Sequence, residues 1–229
     1  MADGAIKRVA GRGRFISFEG GEGSGKSTQI KKLAERLDAA KLRSIVTREP
    51  GGSPGAEVIR HLILSGMGKL LGPDAETLLF AAARDDHVRT VIQPALNQGT
   101  WVLCDRFSDS TRVYQGRVGN VASGLLNAME RVTIGDLKPD LTIILDVPVE
   151  IGLKRAAARR GSAAPDRFES EDVKFHQNLR DAYREIAATE PARCVLIDAS
   201  GDANTVAAAV WTALRDRFFT APASVASTA

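Results

Sequence analysis

Five short, almost continuously hydrophobic runs alternate with longer amphipathic stretches along the chain. Runs of this length, rich in Val, Ile, Leu and Phe, are typical of β-strands that are covered on both faces. The pattern predicts strands at residues 15–19, 44–47, 101–105, 141–146 and 194–198. The longer stretches between them have helical periodicity. They predict helices at residues 26–40, 74–93, 121–133, 149–160, 169–188 and 204–217.

Strands that alternate with helices form right-handed βαβ units and therefore a parallel sheet. The sequence thus predicts one α/β domain over residues 14–219, with ligands at the carboxyl ends of the strands. Asp74, directly after Pro73, is the predicted N-cap of the second helix, and Gly99 closes the segment that follows it. The Gly- and Arg-rich residues 1–13 and the low-complexity residues 220–229 are predicted to be flexible extensions.

Composition narrows the class of protein further. A chain of 229 residues with 44% hydrophobic and 26% charged residues is ordinary for a globular protein. The net charge of +3 and the 5% aromatic content do not indicate a nucleic-acid or membrane partner. Cys104 and Cys194 lie within apolar runs, as reduced core cysteines do. Without a membrane span or a signal sequence, we expect a cytoplasmic protein.

A phosphate-binding loop follows the first predicted strand directly. Its sequence matches G-x-x-x-x-G-K-[ST] at the nine residues Gly20, Gly21, Glu22, Gly23, Ser24, Gly25, Lys26, Ser27 and Thr28. Such a loop presents backbone N–H groups to phosphate, with Lys26 reaching the β- and γ-phosphates and Ser27 a ligand of Mg²⁺. An ordinary Gly-rich turn would match the fixed positions of this motif by chance in about one protein of this size in a hundred. The motif therefore predicts an ATP site.

Motifs at later strand ends indicate a second nucleotide as phosphate acceptor. Arg48 and Arg106 each follow a strand and are suited to bidentate phosphate binding, while Asp105 is suited to Mg²⁺ through a bound water. Phe80 and Arg84 are four residues apart on one helix face. There the aromatic ring would stack on a pyrimidine base while the guanidinium N–H groups donate hydrogen bonds to it. A switch GTPase is disfavoured, because the chain has no Asn-Lys-x-Asp motif.

Four motifs together resemble bacterial thymidylate kinases. They are T-R-E-P-G-G, L-F-A-A-A-R, D-R-F-S-D-S-T-R-V-Y-Q and D-R-F-E, and the resemblance extends from about residue 15 to residue 198. It implies a P-loop NTPase fold with three layers, a five-stranded parallel sheet flanked by helices, and a small lid. It also implies phosphoryl transfer from ATP to dTMP with Mg²⁺, in a homodimer, as a step of dTTP synthesis.

The resemblance also assigns roles within the acceptor site. Glu22 would accept a hydrogen bond from the sugar 3′-hydroxyl, and Tyr114 would pack under the deoxyribose. Phe80 would stack on thymine while Arg84 binds its carbonyl. The residues expected nearby are Ser110, Thr111 and Gln115. Arg48 and Arg106 would bind the monophosphate.

A basic helix end supplies the predicted lid, at about residues 155–168. Arg155 and Arg159 are four residues apart, and residues 161–165 form a Gly- and Pro-containing loop. Residues 21–24 of the P-loop contain no Arg or Lys, so the resemblance implies that the lid supplies the catalytic arginine. Arg159 is the first choice, with Arg155 and Arg160 as alternatives that also bind ATP. The predicted catalytic set is Lys26, Asp105, Arg106 and Arg159.

Other interpretations of these residues stay open at this stage. Phe80 and Tyr114 are also suited to a core, Glu22 to a solvated loop, and the lid arginines to a solvated basic face. Ser110, Thr111 and Gln115 are equally suited to helix caps or the surface. The three histidines His61, His87 and His176 have no metal-ligand spacing and receive no chemical role. The competing functions are a deoxynucleoside kinase that acts on thymidine and a slow regulatory P-loop ATPase.

Overall fold

A parallel sheet lies at the centre of the computed structural model, which describes residues 12–162 and 167–219. The strands are β1 (Phe15–Glu19), β2 (Ser44–Arg48), β3 (Trp101–Asp105), β4 (Leu141–Asp146) and β5 (Cys194–Asp198). Their order in the sheet is β2-β3-β1-β4-β5, and every neighbouring pair is parallel. The predicted α/β class and the five strands are confirmed, with β2 one residue longer than predicted.

Helices cover both faces of this sheet. Those described are α1 (Lys26–Ala39), α2 (Pro54–Leu64), α3 (Pro73–His87), α4 (Gln93–Asn97), α5 (Ser108–Thr111), α6 (Ser123–Thr133), α7 (Val149–Arg160), α8 (Val173–Thr189) and α9 (Ala203–Phe218). A 3₁₀ turn spans Met67–Leu71, and π-helical turns span Val88–Ile92 and Arg112–Val118. The six predicted helices are present. The one predicted at residues 74–93 continues through a π turn into α4, whose second residue, Pro94, has no N–H to donate.

Two local features differ from the sequence-based expectations. The prediction of Asp74 as an N-cap is wrong, because Gly72 occupies that position and Pro73 is the first residue of α3. Helix α2 was not predicted, since its first residues, Pro54 and Gly55, have the composition of a turn. Proline is nevertheless favourable at a first helical position, where an N–H is not needed.

The two faces of β1 differ in the polarity of their side chains. Ile16 and Phe18 pack in the same hydrophobic cluster as side chains of α1 and α9. Because successive side chains of a strand alternate, Phe15, Ser17 and Glu19 lie on the opposite face. Ser17 and Glu19 are nevertheless fully buried. Buried polar groups need hydrogen-bond partners, so this face of the sheet must provide them.

A buried polar seam provides these partners for Ser17. Its hydroxyl oxygen lies 2.9 Å from that of Thr142 on β4, and Arg193 donates to Thr142 over 2.8 Å. Arg193 also donates to both carboxylate oxygens of buried Asp109, over 2.6 and 2.8 Å. Burial opposes ionisation of Asp109, but Arg193 and Arg112 outweigh it and lower its pKa. The seam therefore fixes the segment after β3 against β4 and β5.

Several sequence-based expectations concern features outside the sheet. No described helix is long and apolar enough to cross a membrane. Cys104 and Cys194 are free and buried, as predicted. The predicted extensions lie outside the described residues except for residues 12 and 13, as do residues 163–166 of the predicted lid loop.

Candidate active site

The phosphate-binding loop connects β1 to α1 at the carboxyl edge of the sheet. Gly25 has a left-handed backbone, and no described side chain caps α1, so the first N–H groups of this helix stay available for an anion. Gly23 is required by packing as well: a Cβ at this residue would lie 1.9 Å from the carbonyl oxygen of Gly152 on α7. The close approach of α7 thus restricts this position to glycine.

Lys26 and Ser27 are the first residues of α1. Lys26 Nζ donates to the carbonyl oxygens of Gly20 and Gly21, over 3.0 and 3.1 Å. Burial, followed by the nearby charge of Arg106, lowers the pKa of this ammonium group. Ser27 Oγ donates to Asp105 Oδ2 over 3.0 Å. The two predicted metal ligands, both oxygen donors, are therefore adjacent.

A cavity of about 340 Å³ brings most of the predicted site residues together. Those that line it are residues 22–28, Arg48, Phe80, Arg84, Asp105, Arg106, Ser110, Thr111, Tyr114, Gln115 and Arg159. Four predicted residues do not line it: Gly20, Gly21, Arg155 and Arg160. Six further lining residues were not predicted from the sequence: Glu49, Pro50, Arg60, Leu64, Phe107 and Phe168. The P-loop and the Phe80–Arg84 pair therefore line one cavity.

At the aromatic end, Arg84 is buried and held by several acceptors. Its Nε donates to Glu49 Oε2 over 2.7 Å. Its Nη2 donates to Thr111 Oγ1 over 3.0 Å and to the carbonyl oxygen of Phe107 over 3.3 Å. Half-buried Phe80, one helical turn earlier on α3, lines the same end of the cavity. Arg84 therefore has a fixed orientation before any ligand binds.

Arg106 occupies the middle of the cavity in a strained backbone conformation, with φ of +71°. Such a conformation costs a non-glycine residue about 1–2 kcal/mol. The Arg106 N–H donates to Phe18 O over 2.9 Å, which holds the backbone in place. Its Nη2 donates to Glu22 Oε1 over 2.8 Å. Burial opposes ionisation of Glu22, but Arg106, Lys26 and Arg159 outweigh it and lower its pKa.

Behind Arg106 lies a buried cluster that the sequence analysis missed. Glu19 Oε2 accepts from Ser110 Oγ over 2.6 Å and from Tyr183 Oη over 3.0 Å. Arg106 Nη1 donates to the same two hydroxyl oxygens over 3.3 and 3.2 Å. Burial, followed by the negative charge of Asp109, raises the Glu19 pKa from 4.5 to about 7. A carboxylate in the apolar strand before the P-loop was the signal for this cluster in the sequence.

The three lid arginines point in different directions. Arg159 lines the cavity and donates to Glu169 Oε1 over 2.9 Å. Arg160 donates to the other oxygen of Glu169 over 2.7 Å. Arg155 instead donates to the carbonyl oxygens of Ala199 and Ser200, in the loop after β5. Of the three arginines, Arg159 is therefore the one that lines the cavity.

Taken together, the P-loop, the parallel sheet and the second, aromatic end of the same cavity define the class of P-loop nucleotide kinases. The family model "Thymidylate kinase" matches residues 18–210. The chain belongs to the thymidylate kinase family.

Relatives and solved structures agree with this assignment. A thymidylate kinase of Bradyrhizobium diazoefficiens is 76% identical over 227 residues, which cover 99% of this chain and 100% of the relative. One of Nitrobacter hamburgensis is 77% identical over 224 residues, 98% of this chain and 97% of the relative. The crystal structure of thymidylate kinase from Ehrlichia chaffeensis matches with a TM-score of 0.71 and 32% identity, covering 89% of this chain and 99% of that one.

The raised pKa of Glu19 predicts how the stability of the protein depends on pH. Its favourable contribution is complete below about pH 4.5 and is lost as the pH rises through about 7, because the folded protein resists ionisation of this carboxyl group. Glu19→Gln removes the titration. We therefore expect the variant to gain stability relative to the wild type between about pH 5 and pH 8, measured by urea unfolding at both values.

The matched control is Glu35→Gln, on the exposed side of α1. Its stability difference from the wild type should be the same at both pH values. An equally constant difference for Glu19→Gln would show that Glu19 does not titrate in this range.

Proposed function

We propose that this cavity is where the γ-phosphate of ATP is transferred to dTMP, giving ADP and dTDP. The observation that carries the proposal is the placement of the P-loop and the Phe80–Arg84 pair in one cavity of about 340 Å³. The P-loop, with Lys26, binds the triphosphate of ATP. Arg48 and Arg106, which line the space between the two ends, bind the acceptor phosphate.

The base and the sugar of dTMP contact the opposite end. Phe80 stacks on thymine, and Arg84 donates to a ring carbonyl oxygen. Glu22 accepts from the 3′-hydroxyl, and its lowered pKa keeps the carboxylate available for that bond. Tyr114 packs under the deoxyribose. Ser110, Thr111 and Gln115 complete this end of the cavity.

Transfer requires positioning and charge neutralisation but no general base. The second pKa of a phosphate monoester is about 6, so an oxygen of the acceptor phosphate is already anionic at neutral pH. This oxygen forms the new bond to the γ-phosphorus while the bond to the β-phosphate oxygen breaks, and ADP leaves with the electron pair. Lys26, Arg106 and Arg159 stabilise the charge that develops on the phosphoryl oxygens. Arg155 and Arg160 are proposed to contact ATP from the lid.

Mg²⁺ fits the chemistry of this site. The hydroxyl oxygen of Ser27 and the carboxylate of Asp105 lie 3.0 Å apart beside the P-loop, and Mg²⁺ prefers such oxygen ligands. When bound, the ion neutralises charge on the β- and γ-phosphates. Ser27 would bind it directly, and Asp105 through water.

A cytoplasmic location remains a prediction from the sequence.

A homodimer is the proposed assembly. Three neighbouring helices each expose an apolar side chain. These side chains are Val58 on α2, Leu78 on α3 and Val132 on α6. Val58 and Val132 are 73% and 76% exposed, and burial of apolar side chains against a partner is favourable. A second copy of the chain would bury them.

The central test is ADP release from Mg²⁺–ATP in the presence of dTMP, dUMP, UMP, CMP, AMP, GMP or thymidine. We expect dTMP to stimulate release most strongly, because the cavity selects the phosphate, the base and the sugar together. Stimulation by thymidine alone would reassign the protein to the deoxynucleoside kinases. If no acceptor stimulated release, only the ATP site would remain.

The lid assignment predicts that Arg159→Ala lowers kcat by about a thousand-fold, the lower end of the effect of an arginine finger. The KM for dTMP should change little, since Arg159 acts on the transferred phosphoryl group. Steady-state kinetics of Arg159→Ala, Arg160→Ala and the surface control Arg117→Ala measure this. A larger loss of kcat in Arg160→Ala would give the catalytic role to Arg160 instead.

The dimer proposal predicts that the double variant Val58→Glu/Val132→Glu is a monomer. Buried carboxylates without partners are costly, so the interface should not form. Sedimentation equilibrium should give twice the chain mass of 24.5 kDa for the wild type and a single mass for the variant. Val173→Glu, at the exposed start of α8, is the control and should stay dimeric. A wild-type mass of 24.5 kDa would contradict the proposal.

A further inference from the structure

A buried histidine contacts Glu49, one of the residues that line the cavity. His87, on α3, is three residues after Arg84, so the two side chains lie on neighbouring parts of one helix face. His87 is fully buried, and both of its ring nitrogens have partners. Nε2 is 2.7 Å from Thr47 Oγ1, and Nδ1 is 3.1 Å from Glu49 Oε1. His87 therefore connects the end of β2 with the residue that follows it.

The same Glu49 carboxylate binds Arg84 with its other oxygen. Arg84 Nε donates to Glu49 Oε2 over 2.7 Å, and both side chains are almost completely buried. A buried carboxylate is stable only when its oxygens accept hydrogen bonds, and here each oxygen has its own donor. A hydrogen-bonded chain thus runs from Thr47 through His87 and Glu49 to Arg84.

The chemistry of the chain determines where the histidine proton lies. An ionised carboxylate only accepts hydrogen bonds, so Nδ1 of His87 must carry a proton and donate it to Glu49. The other ring nitrogen, Nε2, is paired with the hydroxyl of Thr47 over 2.7 Å. This arrangement keeps the second oxygen of Glu49 directed at Arg84.

The loop after β2 covers this chain closely. Gly52 has φ of +86°, and a Cβ at this position would lie 2.4 Å from Thr47 Oγ1 and 2.6 Å from His87 Nε2. Any larger residue would push the loop away from the histidine. The glycine therefore allows the backbone to seal the hydrogen bonds from water, which would otherwise compete for them.

Arg84 has one terminal nitrogen beyond these contacts. Its Nε and Nη2 are bound to Glu49, Thr111 and the Phe107 carbonyl, while the described hydrogen bonds leave Nη1 without a partner. Since a guanidinium is planar, fixing two nitrogens fixes the direction of the third. Arg84 lines the cavity, so Nη1 is the nitrogen available to a ligand there.

We propose that His87 and Glu49 are positioning residues that set the base selectivity of the acceptor site through Arg84. The proposal rests on the role of Arg84 given under "Proposed function". A guanidinium only donates, so a fixed Nη1 favours the 4-carbonyl of dTMP and disfavours the 4-amino group of dCMP. An Arg84 side chain without these hydrogen bonds can move away from the 4-amino group of dCMP. The site then discriminates less between dTMP and dCMP.

The test compares kcat/KM for dTMP with kcat/KM for dCMP in each variant. His87→Leu removes both hydrogen bonds of the ring, and we expect the dTMP-to-dCMP ratio to fall about ten-fold, with the KM for ATP unchanged. His87→Asn keeps a donor near the position of Nδ1 and should retain most of the ratio. The ratio comes from one enzyme sample, so a smaller folded fraction does not alter it. His61→Leu, at an exposed histidine of α2, is the matched control and should keep the full ratio.

Two further variants keep the proposal testable if His87→Leu does not fold. Thr47→Val removes the hydroxyl that is hydrogen-bonded to His87 Nε2, and Glu49→Gln removes the charge between His87 and Arg84. Both should lower the ratio at least three-fold. A wild-type ratio in both variants would overturn the proposal.

A double-mutant cycle with Arg84→Met separates this inference from the proposed function. If His87 acts through Arg84, His87→Leu should change the ratio less than two-fold in the Arg84→Met background. If Arg84→Met alone leaves the ratio unchanged, Arg84 does not select the base and the proposed function fails at that residue. If Arg84→Met abolishes discrimination while Thr47→Val, Glu49→Gln and His87→Leu preserve it, only the positioning role is overturned.

Discussion

The contacts of one guanidinium hold the two halves of the site together. Arg106 follows β3 with a left-handed backbone, and that conformation persists because its N–H donates to Phe18 O of β1. Its terminal nitrogens donate to the P-loop at Gly20 O and Glu22, and to Tyr183 on α8. The P-loop, the central strands and α8 thus share one rigid contact. Strain of this kind is tolerated where surrounding bonds determine the geometry.

Each of the two central arginines is oriented by a buried carboxylate behind it. Glu19 binds the two hydroxyl groups, of Ser110 and Tyr183, to which Arg106 also donates. Glu49 binds Arg84 directly. In the low dielectric of the interior such bonds are strong, and a missing partner is costly, so the arginines are fixed before substrate arrives. Preorganised charge of this kind is the main requirement of a transfer that needs no proton acceptor.

Much of the site could be predicted because its chemistry is local in the sequence. The P-loop is a run of nine consecutive residues, and Phe80 and Arg84 are one helical turn apart. The orienting residues Glu19, Glu49, His87 and Tyr183 could not be predicted in the same way. The role of each depends on partners from other elements, which neighbouring residues in the sequence do not reveal. Glu19 and Tyr183, for example, are 164 positions apart.

The sequence by itself determined the strands, the fold class, the P-loop and the family resemblance. Hydrophobic periodicity and contiguous motifs depend only on residues that are close together along the chain. The tertiary structure alone decided which polar groups are buried and where each arginine points. Arg155 and Arg159 are four residues apart on α7, yet one binds carbonyl groups of the loop after β5 and the other lines the cavity. Ser17 and Glu19 interrupt an apolar strand, and only the packed sheet supplies their partners. Buried polar groups must be paired, and in this fold their partners come from distant parts of the chain.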